Sequence, residues 1–145
     1  MRGEAQLFSG AGEVVRTLHR AGYRIALVAD GLEASFRNIF RQHGLEYCFE
    51  ARAISESMGA EKPDPAMFRC TMEQMGLSDE DKGRIVMNGN NLERDIRGAN
   101  AMGFYSILAA YSPRYRMVPE CPEEEPEYVA KDPGQIPELV AEMCS

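Results

Sequence analysis

The sequence predicts an α/β fold of the three-layer Rossmann-like kind, a parallel sheet with helices on both faces. Two observations lead to this fold class. Amphipathic segments that end at glycines alternate with short apolar segments typical of buried strands. The connections between them are short, and alternation of this kind favours a parallel sheet covered by helices. A chain of 145 residues is long enough for one such core domain, which we expect to span residues 1–145.

The elements of the first half are predicted from apolar spacing and from the residues that end them. In chain order they are a helix over Ala11–Arg20, a strand over 24–29 that should be buried on both faces, a helix over Glu33–His43, a less apolar and peripheral strand over 50–54, and a helix from Pro65 to Gly76. Asp64 before Pro65 is a strong helix start, because aspartate caps the first turn and proline fits its first position.

The second half continues the same alternation up to a proline-rich interruption. Its predicted elements are a strand over 84–87, a helix through Leu92, Ile96 and Ala99 that closes at Gly103, a strand over 104–109, a short edge strand over Tyr128–Ala130 and a last helix through Ile136 and Val140. Residues 112–126 hold four prolines, and we expect an excursion there. The glutamates between 120 and 127 are typical of a solvated acidic stretch, with partner binding as the alternative.

Composition excludes several classes of function. The net charge of −7 and the pI near 4.9 argue against nucleic-acid binding, because DNA and RNA backbones are also negative. The apolar runs are too short to span a membrane, and no secretory signal follows Met1, so we expect a cytoplasmic protein. The four cysteines lie more than twenty residues apart and the two histidines stand alone, which argues against a zinc site or a cysteine–histidine protease.

Ligands bind at the carboxyl ends of parallel strands, which directs attention to residues 30–31, 55–64 and 88–95. Asp30 and Gly31 follow the first strand. One interpretation is a helix cap and a tight turn; the other is a turn whose backbone N–H groups hold an anion. Arg114 and Arg116 follow the fourth strand, where they would lie in a surface loop or steer an anionic ligand.

Two further strand ends carry candidate site residues. Lys62 is one of three lysines against thirteen arginines, and its loop leads directly into a helix. It is either a solvated side chain or a compact positive charge placed over a phosphate. Asn90 and Asp95 follow the third strand and carry the oxygen ligands that Mg²⁺ prefers. The alternative is that Asn90 or Asn91 caps the next helix and Asp95 complements its dipole.

Together, these segments resemble the haloacid dehalogenase (HAD) superfamily of phosphohydrolases and dehalogenases. The resemblance extends over residues 7–109 and weakly to the C-terminus. Residues 7–10 are similar to the family's return from its cap region to its core, 25–31 to its second motif, 61–68 to its third and 88–103 to its fourth. The third motif, Glu-Lys-Pro-Asp-Pro-Ala-Met-Phe, is the most specific match.

The resemblance implies a small phosphorylated ligand and Mg²⁺ as cofactor. It implies catalytic roles for Lys62 and Asp95, phosphate-binding positions at Ala29, Asp30, Gly31 and Lys62, and metal-binding positions at Asn90 and Asp95. It also implies that substrate specificity resides in a cap, of which these residues contain no part.

The chain departs from the family pattern at three positions. The family's nucleophile is an aspartate on an apolar strand that ends in Asp-x-Asp, and no such strand occurs here. Ala29 stands where the family has serine or threonine, and Asn90 stands where it has aspartate or glutamate. We therefore expect the isolated chain to be an inactive pseudoenzyme.

The nucleophile strand is central in the family, between the strand that ends at Asp30 and the strand that ends near Asn88. Its loss would leave two apolar edges. The expected remedies are a longer native protein, direct pairing of the two strands, or a strand supplied by a second copy or another partner.

Two main hypotheses of function follow from these observations. The first is a HAD-like hydrolase acting on a small phosphate ester. The second is a noncatalytic HAD-like module that binds a phosphate-bearing ligand or a protein partner. A receiver-like signalling domain is a third hypothesis and fits less well, because it requires an acidic cluster on the first strand.

Overall fold

The computed structural model describes residues 11–111 and 115–144, which leaves Arg114 and the segment 7–10 outside the described residues. The chain divides into two compact units, Met1–Gly76 and Leu77–Ser145. Each unit contains a parallel sheet. The alternation of helices with parallel strands confirms the predicted α/β fold class. Within the described ranges, no helix has the length and apolar character needed to cross a bilayer.

Among its described residues, the first unit contains a two-stranded parallel sheet and four α-helices. Its elements are α1 (Ala11–Arg20), β1 (Ala26–Ala29), α2 (Glu33–His43), β2 (Ala51–Ile54), α3 (Ser55–Met58) and α4 (Pro65–Gln74). Ala29 at the end of β1 lies opposite Ile54 at the end of β2, so the two strands finish at the same edge. The short helix α3 begins there and was not predicted.

Local signals set the helix ends of this unit as predicted. Gly44 ends α2 in the left-handed region, with a φ of 66°, where glycine has no steric cost. The Asp64 carboxylate accepts a hydrogen bond from the Ala66 N–H at 2.9 Å and caps α4. Both signals act within three residues of the helix end, which explains why the sequence shows them.

The core of the first unit is built around α2. Ile39, Phe40, Leu45 and Cys48 are buried together, and the Phe40 and Phe49 rings lie 4.6 Å apart between centroids. The prediction for the strands was wrong in detail, because the middle of β1 is only half-buried. The strand β2, expected to be peripheral, has three buried residues of four because α4 packs against it.

The second unit contains a three-stranded parallel sheet in the order β3-β4-β5. Its elements are β3 (Val86–Gly89), a π-helical turn (Leu92–Ile96), α5 (Arg97–Met102), β4 (Tyr105–Ala109), β5 (Tyr128–Ala130) and α6 (Gln135–Cys144). The predicted helix after β3 is confirmed, but its first five residues form the π-helical turn. The strand β5 lies at the end of the strand order, as predicted for an edge strand.

The proline-rich excursion between β4 and β5 is anchored by an ion pair between the half-buried Arg116 and the buried Glu124. Glu124 is only 3% exposed and accepts two hydrogen bonds from the Arg116 guanidinium, at 2.7 and 3.0 Å. Its carboxylate also accepts the Glu120 N–H at 3.0 Å. The prediction of a solvated acidic stretch was therefore wrong at Glu124. Arg116 has a structural partner in Glu124, and its role in steering an anionic ligand stays a prediction.

A second anchor joins the excursion to the sheet through Asn100. Its amide donates to the carbonyl oxygens of Glu123 and Glu125, at 3.0 and 2.8 Å. The fully buried Ser106 hydroxyl donates to the Asn100 side-chain oxygen at 3.0 Å and accepts the Glu127 N–H. These bonds satisfy polar groups that would otherwise be costly to bury.

The Glu124 anchor predicts a pH-dependent stability. The hydrogen bonds from Arg116, followed by the one from the Glu120 N–H, lower the pKa of Glu124 from 4.5 to about 2. The full stabilisation is present above pH 4.5, where both folded and unfolded states hold the carboxylate ionised. It is lost as the pH falls from 4.5 towards 2, because only the unfolded state takes up the proton.

We expect Glu124→Gln to lower the melting temperature at pH 7 and to approach the unchanged chain as the pH falls below 4.5. Thermal unfolding at several pH values measures this, with the exposed Glu127→Gln as the matched control. A Glu124→Gln difference that stays constant between pH 7 and pH 3 would contradict the ion-pair interpretation.

Candidate functional site

The turn after β1 is held by hydrogen bonds from α3. The Gly31 N–H donates to the Ser55 hydroxyl at 2.7 Å, and the Glu56 N–H donates to the Gly31 carbonyl at 3.2 Å. Gly31 has a φ of 146°, a conformation that side chains disfavour, and a Cβ there would lie 3.0 Å from the Phe36 ring. The Gly31 amide thus has a partner within the protein, and its role in holding an anion stays a prediction.

The start of α2 is connected to the same short helix. The Glu33 N–H donates to the Glu56 carboxylate at 2.9 Å, and the Ser57 hydroxyl donates to the Glu33 carboxylate at 2.5 Å. The sequence directed attention to residues 55–64, but it did not single out Ser55, Glu56 and Ser57 within that range. The signal that could have revealed them is a run of polar residues directly after an apolar strand, where a parallel sheet carries its site.

Lys62 is brought to the carboxyl end of β1 by Asp30. The Asp30 carboxylate accepts a hydrogen bond from the backbone N–H of Lys62 at 2.9 Å, across 32 residues of sequence. Lys62 lies in a turn closed by the Asp64 N–H and the Glu61 carbonyl at 3.0 Å, and the Lys62-Pro63 peptide bond is cis. The structure therefore joins two predicted site residues, while the neighbouring Ala29 is buried and apolar.

In the second unit, Asp95 is held against the end of β3. Its carboxylate is 5% exposed and accepts the Asn91 N–H at 3.2 Å. A Cβ at Gly89 would lie 2.3 Å from an Asp95 carboxylate oxygen, so this close approach requires glycine at position 89. Asn91 caps the following turn by accepting the Arg94 N–H at 3.0 Å, which settles the choice left open between Asn90 and Asn91.

Tyr111 is a further residue of this sheet edge, to which the sequence assigned no role of its own. It follows β4, and its hydroxyl forms a hydrogen bond with the side chain of Asn88 at the end of β3. Burial raises the pKa of Tyr111, and the Asn88 hydrogen bond opposes that shift. Tyr111 is therefore a neutral hydroxyl near the end of β3 at physiological pH.

The residues predicted to hold Mg²⁺ offer oxygen atoms but little charge. Within residues 11–111 and 115–144, no group of three aspartate, glutamate, histidine or cysteine side chains is arranged to hold a metal ion. Asn90 and Asp95 supply one amide oxygen and one carboxylate. This set fits Mg²⁺ in part, because Mg²⁺ is often bound through one or two carboxylates, with waters and phosphate oxygens completing its octahedron.

Sequence comparison places this arrangement in context. A family model described as haloacid dehalogenase-like hydrolase matches residues 1–103. The chain is 27% identical over 127 residues to the glyceraldehyde 3-phosphate phosphatase of Methanopyrus kandleri, covering 88% of this chain and 53% of that protein. It is 29% identical over 130 residues to the phosphoserine phosphatase of Thermus thermophilus, covering 90% and 49%. The chain thus spans about half the length of these relatives.

Solved structures share the fold. The HAD-hydrolase YfnB of Bacillus subtilis, bound to magnesium, superposes with a TM-score of 0.79 at 22% identity, covering 92% of this chain and 56% of that one. A 2-haloacid dehalogenase of Pseudomonas syringae gives a TM-score of 0.76 at 22% identity, covering 97% and 55%. Together with the family model, these likenesses agree with the resemblance inferred from the motifs.

The contact between Gly89 and Asp95 predicts a specific sensitivity. We expect Gly89→Ala to cost about 1–3 kcal/mol of unfolding free energy, because the added methyl group must displace the buried Asp95 carboxylate. Urea denaturation measures the cost. Gly83→Ala is the matched control, since its Cβ would meet nothing within 4 Å. Equal effects of the two substitutions would contradict the close-contact explanation.

Proposed function

Because this chain belongs to the haloacid dehalogenase-like hydrolase family, we propose that it serves the hydrolysis of a small phosphate ester, with Lys62 as a phosphate-binding residue of the first unit and Asp95 as a metal-binding residue of the second. The observation that carries the proposal is the placement of Lys62. A backbone hydrogen bond to Asp30 holds this lysine at the end of β1, where ligands of parallel sheets bind. The relatives named phosphatases support phosphate as the ligand chemistry.

Lys62 would act through its charge. A lysine ammonium is compact and strongly positive, so it offsets the negative charge that a phosphoryl group carries. Preorganised charge of this kind lowers the barrier most when its position is fixed before the substrate arrives. The backbone of Lys62 meets that condition, because the turn around it is closed by its own hydrogen bond and held by Asp30.

Asn90 and Asp95 would hold Mg²⁺. The ion, when bound, neutralises phosphate charge and orients the phosphate oxygens. The carboxylate of Asp95 is kept in place by the Asn91 N–H and by the absence of a side chain at Gly89. Asn90 adds an oxygen without charge, and binding of the ion should accordingly be weaker than at a site with two carboxylates.

Ala29 and Asn90 favour a second candidate function, binding without catalysis. Ala29 is buried and carries no hydroxyl that could bind phosphate, and Asn90 removes a negative charge from the metal site. Both changes remove groups that a phosphatase of this family would use, one for phosphate and one for the metal ion. The alternative is therefore a noncatalytic module that binds a phosphate-bearing ligand or a protein partner, and we propose that the 145 residues alone bind phosphate without turnover.

The two functions are separated by turnover of an aryl phosphate. A hydrolase hydrolyses p-nitrophenyl phosphate in the presence of Mg²⁺, and Lys62→Ala lowers kcat/KM by on the order of 100-fold. Lys131→Ala is the matched control, because Lys131 is an exposed lysine of the second unit. For the 145 residues alone we expect a blank rate together with a higher melting temperature in millimolar phosphate. Turnover by these residues alone would overturn the binding-module alternative.

Metal affinity tests the assignment of Asn90 and Asp95. We expect Asn90→Asp to tighten Mg²⁺ binding by on the order of tenfold, because a second carboxylate adds charge to the ligand set. Asp95→Asn should weaken it by a comparable factor. Isothermal titration of magnesium chloride measures both, and Glu127→Gln is the control for general loss of negative charge. Unchanged affinity in Asn90→Asp would place the ion elsewhere.

A further inference from the structure

We propose that Asp30 is a positioning residue for Lys62: its carboxylate holds the lysine backbone and so sets where the ammonium is presented. The inference rests on the proposed function, since it concerns the same phosphate site. It differs from the role that the family resemblance implied, in which Asp30 lies against the phosphate itself.

The contact is a hydrogen bond between two segments that are not paired as β-strands at this point. Asp30 follows β1, and Lys62 lies in the loop between α3 and α4. The Lys62 N–H donates to the Asp30 carboxylate at 2.9 Å. A hydrogen bond to an ionised acceptor is about twice as strong as one between neutral groups, so this contact restrains the loop more than an ordinary turn bond.

The turn that carries Asp30 is itself held in place by hydrogen bonds. The adjoining Gly31 donates its N–H to the Ser55 hydroxyl at 2.7 Å, and its carbonyl accepts from the Ser55 hydroxyl at 3.3 Å and from the Glu56 N–H at 3.2 Å. The turn is thereby fixed to the end of β2. Because Asp30 adjoins this fixed turn, its hydrogen bond to the Lys62 N–H holds the loop that carries Lys62 at the same edge of the sheet.

Electrostatics favour this role for the Asp30 carboxylate over its direct contact with phosphate. A carboxylate beside a phosphate brings two negative charges together, which is unfavourable even at an effective dielectric constant near that of water. A carboxylate that accepts a backbone N–H uses its charge favourably instead. The lysine ammonium is carried on a flexible four-carbon chain. Fixing the backbone of Lys62 therefore reduces the volume that the ammonium can reach.

The test compares two substitutions of Asp30 by titrating inorganic phosphate into the chain. Asp30→Ala removes the acceptor, and we expect phosphate affinity to fall by on the order of tenfold because Lys62 is no longer placed. Asp30→Asn keeps a side-chain oxygen that can accept the Lys62 N–H, and it should rescue most of that loss. Hydrogen exchange of the Lys62 amide, followed by NMR, should accelerate in Asp30→Ala and return towards its original rate in Asp30→Asn.

A second variant covers the case in which Asp30→Ala does not fold. Ser55→Ala removes two of the three hydrogen bonds that hold Gly31, and it should shift Lys62 amide exchange and phosphate affinity in the same direction by a smaller factor. Asp132→Ala is the matched control, because Asp132 also accepts a backbone N–H, from Gly134 at 2.8 Å, in the second unit.

The outcomes separate this inference from the proposed function. If Asp30→Asn lowers phosphate affinity as much as Asp30→Ala, a side-chain acceptor for the Lys62 N–H does not place the lysine, and the positioning role is overturned. If both variants raise phosphate affinity, the Asp30 charge acts on the anion directly, and the positioning role is again overturned. If neither variant changes Lys62 amide exchange, the hydrogen bond to Asp30 does not restrain the loop, and the positioning role is overturned. If Lys62→Ala leaves phosphate affinity unchanged, the proposed role of Lys62 at a phosphate site fails, and Lys62 amide exchange still decides whether Asp30 holds the loop.

Discussion

The structure depends on one constraint: where a parallel strand ends, its backbone groups leave the ladder and must find partners elsewhere. After β1, Ser55 takes the Gly31 amide, and the Asp30 side chain accepts the Lys62 amide of the loop between α3 and α4. In the second unit Asp95 takes the Asn91 amide. These polar side chains therefore accept hydrogen bonds from backbone N–H groups. The same hydrogen bonds fix the positions of the candidate site residues.

Hydrogen-bond partners also explain how two carboxylates can be buried in the described part of the chain. Asp95 and Glu124 are 5% and 3% exposed, and a buried charge without partners would be strongly destabilising. Glu124 is compensated by Arg116 and by a backbone N–H, which makes it a structural anchor. Asp95 approaches the backbone of Gly89 so closely that only glycine fits, which keeps its carboxylate at the end of β3. Burial by itself does not separate an anchor from a site residue; the partners of each carboxylate do.

Predictions from sequence succeeded where the signal is local. The start of α4 at Pro65 and the end of α2 at Gly44 follow from capping within three residues. They failed where the partner is distant in sequence or where packing decides burial. The burial of Glu124 depends on Arg116 eight residues away, and the burial of β2 depends on packing against α4. Neither is visible in apolar periodicity.

The sequence by itself determined the α/β class and the order of the strands and longer helices, with Lys62 after β2 and Asp95 after β3 along the chain, because caps, glycine stops and apolar spacing act over a few residues. Only the tertiary structure decided what each polar side chain holds. The bond from the Lys62 amide to Asp30 spans 32 residues, and that from the Gly31 amide to Ser55 spans 24. Such pairings exist only once the strands are side by side, since folding alone brings their ends within hydrogen-bonding distance.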